Sequence, residues 1–337
     1  MSPASATPAR THTRRLIAIA VLVPALAALA LWAFAWPAAR TAPRDLPLGV
    51  AGPTAATAQM EQQLTRHRGA FEIHRYADEA AARDAIEDRT VYGAVVVTTH
   101  GPELLTASAA SPVVAQMLQQ AVAQQASATG TPVKTVDVVA APAKDPRGAA
   151  LTSSVLPLAL AGIAAGSVVT LLGLRGLRAV AALVAAGALT GMAAAGITHS
   201  WLGVLTGDWW TEAGVLGLAT LAVSAAVAGL AALLGNAGVG VAAGVVMLFG
   251  NPFSGASSAP QMLPDPVGTI GQWLPPGAGT SLLRSVSFFD GAAATGPALT
   301  LTWWAALGLG AVLLGSALRG RTRSASPAAE RELAPVG

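Results

Sequence analysis

Charged residues are scarce where the apolar residues of this chain are concentrated. Of its 337 residues, 53% are hydrophobic and 11% are charged. Only four acidic residues occur between residues 151 and 318, and all of them lie between the apolar runs: Asp208, Glu212, Asp265 and Asp290. Membrane proteins that draw on an ion or proton gradient usually keep an ionisable group within the bilayer. We therefore expect a membrane protein that takes its energy from another source.

Cysteine is absent, which excludes a disulfide framework, a thiolate metal site and a cysteine nucleophile. Lysine occurs only at Lys134 and Lys144, and no HExxH, GxSxG or phosphate-binding GxxxxGK(S/T) sequence is present. The formal net charge of +3 comes largely from arginines beside apolar runs, as membrane topology requires. We expect no catalytic residue, no metal site, no cofactor and no nucleic-acid partner.

The first apolar run, residues 16–36, predicts transmembrane helix 1. At 1.5 Å per residue it spans about 30 Å, the thickness of the hydrocarbon core. Basic residues precede it, and Trp32 and Trp36 close it where an aromatic belt would lie. A cleaved signal peptide is the alternative, although the apolar core exceeds the roughly 7–15 residues of such segments. We expect a cytoplasmic tail at 1–15 and an uncleaved helix.

Residues 151–250 predict transmembrane helices 2–5. The runs 151–174 and 179–197 form the first two, separated by a short loop with two arginines. The run 213–250 would measure about 57 Å as one helix, nearly twice the bilayer core, so it must turn. Gly235-Asn236-Ala237-Gly238 provides the turn chemistry. Helix 6 is predicted at 299–318, followed by a tail at 319–337.

Arginine clusters predict the orientation. Basic residues precede the first helix, Arg175 and Arg178 follow the second, and Arg319, Arg321 and Arg323 follow the last. Six passes place all three clusters on one side, which the positive-inside rule identifies as the cytoplasm. A single pass over 213–250 would leave the C-terminal arginines outside. We predict a multi-pass protein of the cell membrane, embedded in the lipid bilayer, with both termini in the cytoplasm.

Three glycine pairs have the GxxxG spacing that lets transmembrane helices approach closely. They are Gly162 and Gly166, Gly187 and Gly191, and Gly240 and Gly244. Chance spacing in an Ala/Gly-rich chain is the alternative. We predict helix packing at these positions.

Residues 38–150 have the composition of a soluble domain. Their patterns predict strands at 46–50, 71–76, 91–98, 103–109 and 133–139, with helices at 58–68, 78–89 and 112–127. Such alternation is typical of an α/β domain with a mainly parallel sheet. The predicted fold class is therefore a polytopic α-helical membrane protein with six transmembrane helices. An α/β extracytoplasmic domain is inserted between helices 1 and 2. Lone histidines in this domain (His67, His74 and His100) are typical of surface residues.

The segment 251–298 is too apolar for an ordinary loop and too often broken by proline to span a bilayer. Its structural candidates are Pro252, Pro264, Trp273, Pro275 and Arg284. We predict an external re-entrant or lid segment, with Trp273 buried or interfacial and Arg284 paired with a carboxylate or a helix C-terminus. A Pro/Gly-rich linker is the alternative.

The whole layout resembles that of ABC type-2 exporter permeases. These have one helix, a large external domain and five helices, with a broken segment before the last. Around that segment, Pro264, Trp273-Leu274-Pro275 and Leu283-Arg284 are similar to the "LP … LP … LR" pattern of the YhgE/Pip-like branch. The resemblance implies a permease half, a homodimer and a separate ABC ATPase subunit. The inner loop is little more than residues 175–178, so Arg175 and Arg178 become the ATPase-facing candidates.

These observations give an expected function and two alternatives. Charge-free helices suit export of an amphipathic, lipid-like or drug-like substrate, because ions and sugars need polar groups to replace hydration. The first alternative is a non-transporting surface protein that binds an envelope component, a phage or a secretion partner through its external domain. The second is a membrane enzyme that uses the adjacent pair His199-Ser200, although neighbours in a helix seldom face each other.

Overall fold

The computed structural model describes residues 9–66, 68–99, 101–130 and 132–332. The helices are α1 (Ala9–Ala39), α2 (Thr54–Leu64), α3 (Glu79–Glu87), α4 (Pro112–Thr129), α5 (Ala149–Leu171), α6 (Gly176–Ala195), α7 (Trp209–Leu234), α8 (Asn236–Val245), α9 (Val267–Gln272), α10 (Pro275–Phe288) and α11 (Thr295–Glu332). The strands are β1 (Leu46–Ala51), β2 (Phe71–Tyr76), β3 (Gly93–Thr98), β4 (Gly101–Thr106) and β5 (Lys134–Asp137). Short π-helical segments follow α6 (Gly196–Trp201) and α8 (Val246–Gly250).

The strands form one sheet in the order β2-β1-β3-β4-β5, within the described part of the chain. All neighbouring pairs are parallel except β3 and β4. Only two residues separate Thr98 from Gly101, and a parallel crossover needs a dozen or more, so β3 and β4 must form a hairpin. The strands and helices of residues 46–137 begin and end within a few residues of their predicted positions.

Helices cover both faces of the sheet. On one face, Ile86 of α3 packs with Val96 and Leu105. On the other, Leu48, Val95 and Leu104 pack against side chains of α2 and α4. This burial on both faces is typical of α/β domains and explains why the central strands are nearly all apolar.

The remaining helices form a bundle around α7. Among the described residues, five helices are long and apolar enough to cross a membrane: Leu16–Ala39, Ala149–Leu171, Gly176–Trp201, Trp209–Leu234 and Thr295–Leu318. The third of these includes the π-helical segment after α6. Within the apolar part of each helix, the protein itself buries 72% of the residues of α7 but only 6% of those of α1. The chain is therefore a polytopic helical membrane protein in which α7 is the central helix.

The apolar run 213–250 turns at Gly235, as its turn chemistry predicts. Gly235 has φ +68°, a conformation that favours glycine, and Gly238 lies against the backbone of Leu230 as α8 runs back along α7. The returning helix Asn236–Gly250 is only about 22 Å long, short of the roughly 30 Å bilayer core. The fifth predicted span, expected to be short before Pro252, is therefore shorter than the bilayer core is thick, and the count of six stays a proposal.

Two other boundaries differ from the prediction. The α1 helix begins at Ala9, inside the predicted tail of residues 1–15, and α11 continues to Glu332 beyond the predicted end of helix 6. Both extensions are helical backbone outside the apolar runs, because helix propensity does not stop where hydropathy does. Residues 1–8 and 333–337 of the predicted tails lie outside the described residues.

The bundle has a sheet end, next to the α/β domain, and a far end. At the far end, Gly176 N donates to Ser316 Oγ at 2.8 Å, which joins the α5–α6 turn to α11. Five tryptophans lie at the sheet end: Trp32 and Trp36, stacked at 5.5 Å near the end of α1, and Trp201, Trp209 and Trp210 beside the connection between α6 and α7. Tryptophan concentrates at membrane interfaces, so this end carries the features of one bilayer surface.

Candidate functional site

The segment before α11 folds into a helical hairpin between the sheet and the bundle. After Gly250 the chain reaches the α/β domain, where Met262 O accepts a hydrogen bond from Ala42 N at 3.0 Å. It then returns through α9, and Pro276 at the start of α10 lies beside Gly250 again. From there α10 runs back toward the sheet and ends at Phe288. We call residues 251–294 the cap.

Proline fixes where α10 begins. Pro275 and Pro276 occupy its first turn, where a missing backbone N–H costs no hydrogen bond. The helix is buried along most of its length, and Gly279 lies close to Ala219 of α7. A helix of 14 residues is too short to span a bilayer, yet here it is enclosed by protein, which satisfies its backbone and hides its apolar side chains.

Arg284 of α10 is almost completely buried, with 5% of its surface exposed. Its guanidinium donates to Ala256 O at 2.6 Å, and Thr152 Oγ1 of α5 donates to the same oxygen at 2.9 Å. The prediction that Arg284 pairs with a carboxylate or a helix C-terminus is therefore wrong. Its partner is a carbonyl in a loop of the cap. Burial lowers the pKa of Arg284 to about 10, with Tyr92 opposing and Arg89 adding to the shift, so the group stays charged at neutral pH.

A second arginine ties the cap to the sheet domain. Arg89, just after α3, donates to Ser281 O at 2.9 Å and to Ser285 Oγ at 2.5 Å. Its guanidinium also lies 5.2 Å from the centre of the Phe289 ring, within cation–π range. Burial lowers the pKa of Arg89, and Tyr92 opposes this. No local sequence signal marks Arg89, because its partners lie almost two hundred residues away.

Tyr92 and Gln261 complete the contact between the domain and the cap. The Tyr92 hydroxyl donates to Gln261 Oε1 at 2.9 Å, and burial raises the pKa of this tyrosine. Just before β1, Arg44 donates to Met262 O at 3.2 Å. The cap is thus held by directional polar contacts at several points, which is typical of an ordered element and not of a linker.

The other predicted cap residues have different surroundings. Pro264 is buried and its carbonyl accepts from Val267 N at 2.7 Å, at the start of α9, whereas Pro252 is half-buried. The Trp273 ring is 67% exposed, so the protein alone does not bury it. The Trp273 carbonyl accepts from Trp304 Nε1 at 2.8 Å, so Trp273 lies beside α11. Contact between Trp273 and lipid stays a prediction.

The GxxxG pairs divide into two kinds. A Cβ built at Gly162 or Gly166 would lie within 3.0 Å of Val223 or Val227 of α7, and α6 approaches α7 in the same way. There Gly187 and Gly191 contact the backbone of residues 213–221. By contrast, no described atom lies within 4 Å of a Cβ at Gly240 or Gly244. These two glycines face open space, so any packing there requires another molecule.

Arg175 and Arg178 are exposed at the far end of the bundle. Arg175 borders a cavity of about 170 Å³ that Asn236 and Ser316 also line. The turns at both ends of α7 thus meet different surroundings, since the far end is basic and open while the sheet end is covered by the cap.

The contact between His199 and the buried carboxylate of Glu212 was missed by the sequence pattern. His199 Nδ1, in the π-helical segment, lies 2.7 Å from Glu212 Oε2 in the first turn of α7. The other oxygen of Glu212 accepts from Gly207 N at 2.8 Å, and this carboxylate is fully buried. The sequence pattern places Glu212 between the helices. It lies four residues after the α7 N-cap Asp208, whose carboxylate accepts from Thr211 N, and an acidic residue in the first turn after a capping aspartate was the available signal.

The adjacent residue Ser200 does not complete a catalytic group with His199. Its hydroxyl accepts from Trp209 Nε1 at 3.2 Å, on a different neighbour from the one that His199 contacts. Among the described residues no cluster of three or more His, Asp or Glu is placed to hold a metal ion. Of the histidines in the α/β domain, His67 and His100 lie outside the described residues, and His74 lies in β2 within 3.6 Å of Glu72.

These features define a membrane protein with a helical bundle, an α/β domain and a structured cap between them. Residues 14–142 match a protein-family model described as ABC-2 family transporter protein. The match covers most of α1 and the whole sheet, which is well under half of the chain, and it supports the ABC-2 permease family. That family consists of transporters. No curated protein and no solved structure matches the chain.

Proposed function

We propose that this chain is the membrane permease component of an ABC-type exporter, powered by a separate ATPase subunit, and that it belongs to the YhgE/Pip-like branch. The match of residues 14–142 to an ABC-2 transporter family carries the proposal. The cap before α11 supports the branch, because it contains Pro264, Trp273-Leu274-Pro275 and Leu283-Arg284 in an ordered re-entrant hairpin.

The substrate we propose is amphipathic, lipid-like or drug-like. Along the described helices α5 to α11, Glu212 is the one buried carboxylate, and its two oxygens are occupied by His199 and Gly207. An ion or sugar would need further polar groups to replace its hydration. Large apolar side chains cover the outer faces of the bundle, including Leu160, Leu189 and Leu307. Such faces accommodate alkyl chains and aromatic rings.

We further propose a homodimer in the cell membrane, with the α/β domain outside and both termini in the cytoplasm. The protein covers very little of α1, and the notch at Gly240 and Gly244 is open, so both offer surface to a second copy. The far end of the bundle would then face the cytoplasm. There, exposed Arg175 and Arg178 are our candidates for contact with the ATPase.

Co-purification tests the partner, and ATP hydrolysis tests the coupling. An ATPase encoded beside this chain should co-purify with it and show vanadate-sensitive hydrolysis in the complex. The double variant R175E/R178E should lose this association, whereas R83E, on α3 of the α/β domain, should keep it. A complex of unchanged affinity in R175E/R178E contradicts the assigned contact surface. A chain that purifies alone and leaves export unchanged on deletion contradicts the permease proposal.

The second candidate is the non-transporting surface protein that binds an envelope component, a phage or a secretion partner. The observation that favours it is the large apolar cavity of the α/β domain, described below. Deletion strains separate the two functions. Loss of phage adsorption or secretion with unchanged drug and lipid export supports the surface protein.

A further inference from the structure

A large cavity of the α/β domain lies between its sheet and two of its helices. The cavity has a volume of about 610 Å³, within the roughly 300–1,000 Å³ of small-molecule sites. Leu48, Val95 and Leu104 form its floor on the sheet. Side chains of α2 and α4 form the walls, so the two helices stand apart where a closed core would bring them together.

The lining determines what kind of molecule fits. It is made of aliphatic side chains, proline and Phe71, with Gln125 of α4 as the polar side chain. Ala121 and Gln125 are exposed, so the space opens to solvent at α4, and its mostly apolar lining offers water few hydrogen-bond partners. An apolar occupant would restore the dispersion contacts that Met60 and Leu118 lack on their inner sides.

The shape of the cavity favours one long chain. It extends from Pro43 and Ala70, before the starts of β1 and β2 on the side of the bundle, to Pro102 and Val133 at the other ends of the strands. Between these two ends β1 covers six residues, about 20 Å at 3.3 Å per residue. An extended alkyl chain matches such a length better than a compact ring system does.

Charged residues at the end of the cavity nearest the bundle indicate the head group of the ligand. The loop between the lining residues Leu64 and Ala70 carries Arg66 and Arg68, both exposed. Asp45 lies beside this loop, since its backbone N donates to Gly69 O at 2.9 Å, so two arginines face one carboxylate here. We propose that the α/β domain binds a single-chain anionic amphiphile, its alkyl chain in the cavity and its head group beside Arg66 and Arg68. This inference does not rest on the proposed transport function.

Photo-crosslinking on the full-length protein in phosphatidylcholine nanodiscs tests the site. The probe is palmitate with a diazirine in its chain, supplied in one arm from albumin and in the other preloaded into the bilayer as the lysophosphatidylglycerol ester. Peptide mapping should find labels in residues 43–133 as well as in the spans. Labelling of the domain from albumin alone identifies an aqueous source, and labelling from the preloaded disc identifies the membrane. Labels confined to the spans in both arms overturn the proposal.

Two variants on α4 provide the matched comparison. Ala121 lines the cavity, so A121W should lower labelling of the domain about tenfold, because the indole fills space that the chain needs. Ala123 is exposed and outside the lining, so A123W should label like the wild type. Equal labelling of both variants contradicts the cavity as the site.

Competition on the wild-type protein tests the head group and does not depend on a variant that folds. Unlabelled palmitate should displace the probe from the domain, whereas hexadecyltrimethylammonium should not. The variant R66S/R68S should lose this preference for the anion. Equal competition by both amphiphiles overturns the role of the two arginines.

Discussion

His199 Nδ1 and Glu212 Oε2 lie 2.7 Å apart and join the π-helical end of α6 to the first turn of α7. The carboxylate is fully buried and also accepts from Gly207 N. Both helices are spans, so this contact fixes their relative position at the sheet end. Next to it, Thr206 Oγ1 donates to Ser287 O at 3.0 Å, which extends the contact to the end of α10.

Removing this carboxylate should destabilise the bundle. E212A leaves Gly207 N and the His199 ring without their acceptor, at a cost of about 1–3 kcal/mol. E212Q should cost less, because its amide oxygen still accepts from Gly207 N. Thermal unfolding in a fixed detergent measures both. E87A, at an exposed carboxylate of α3, is the control and should change stability by no more than about 0.5 kcal/mol. A loss in E212A no larger than in E87A contradicts the structural role.

The GxxxG glycines should respond to alanine according to what they face. G191A places a methyl group against the backbone of Ala213 and Gly217, so α6 and α7 must separate, at about 1–3 kcal/mol. G244A meets open space and should be neutral or stabilising by up to about 1 kcal/mol, since alanine is the better helix former. Unfolding in a detergent in which the protein has been measured to be monomeric compares the two.

The same pair tests the proposed dimer in bilayers. G244A should weaken self-association if the open notch contacts a second copy, and G191A should not act there directly. Energy transfer between labelled copies in vesicles measures the association. Undiminished association of G244A removes this notch from the interface.

The cap should loosen when Arg89 is replaced. R89M loses the hydrogen bonds to Ser281 O and Ser285 Oγ and the contact with Phe289, on the order of 1–3 kcal/mol of local stability. Protease should then cut residues 251–294 faster than in the wild type. R83M removes only the ion pair between Arg83 and Glu79 on the surface of α3, so its cleavage rate should not change. Rapid cleavage of the wild-type cap would favour the linker interpretation.

Introduced cysteines should reveal the orientation, because the chain has none of its own. An impermeant maleimide added to intact cells should label A123C in the α/β domain. It should not label L177C, in the exposed turn at the far end, or S326C near the C-terminus. Permeabilised cells provide the control, since all three should then react. Labelling of S326C from outside would indicate an odd number of passes.

The sheet domain shows how much local pattern can predict. The run Val95-Val96-Val97 lies in a strand, and Asp78 and Ser111 cap the starts of two helices. These elements lie close to their predicted positions because hydropathy, branching and caps act over one or two turns. The antiparallel β3–β4 pair follows from its short connection, although the pattern alone favoured a parallel strand.

The sequence by itself determined the elements of this protein. Long apolar runs require a bilayer, Gly235 forces a turn, and arginines mark one end of the bundle. These are properties of consecutive residues, and a short window contains all of their causes.

Only the tertiary structure decided which side chains meet. Arg284 finds the carbonyl of Ala256 instead of a carboxylate, and Arg89 reaches across to Ser281. The cavity between α2 and α4 exists because two helices of ordinary sequence stand apart on one sheet. Such contacts depend on how distant elements cross and pack, and packing is a property of the whole chain that no local pattern contains.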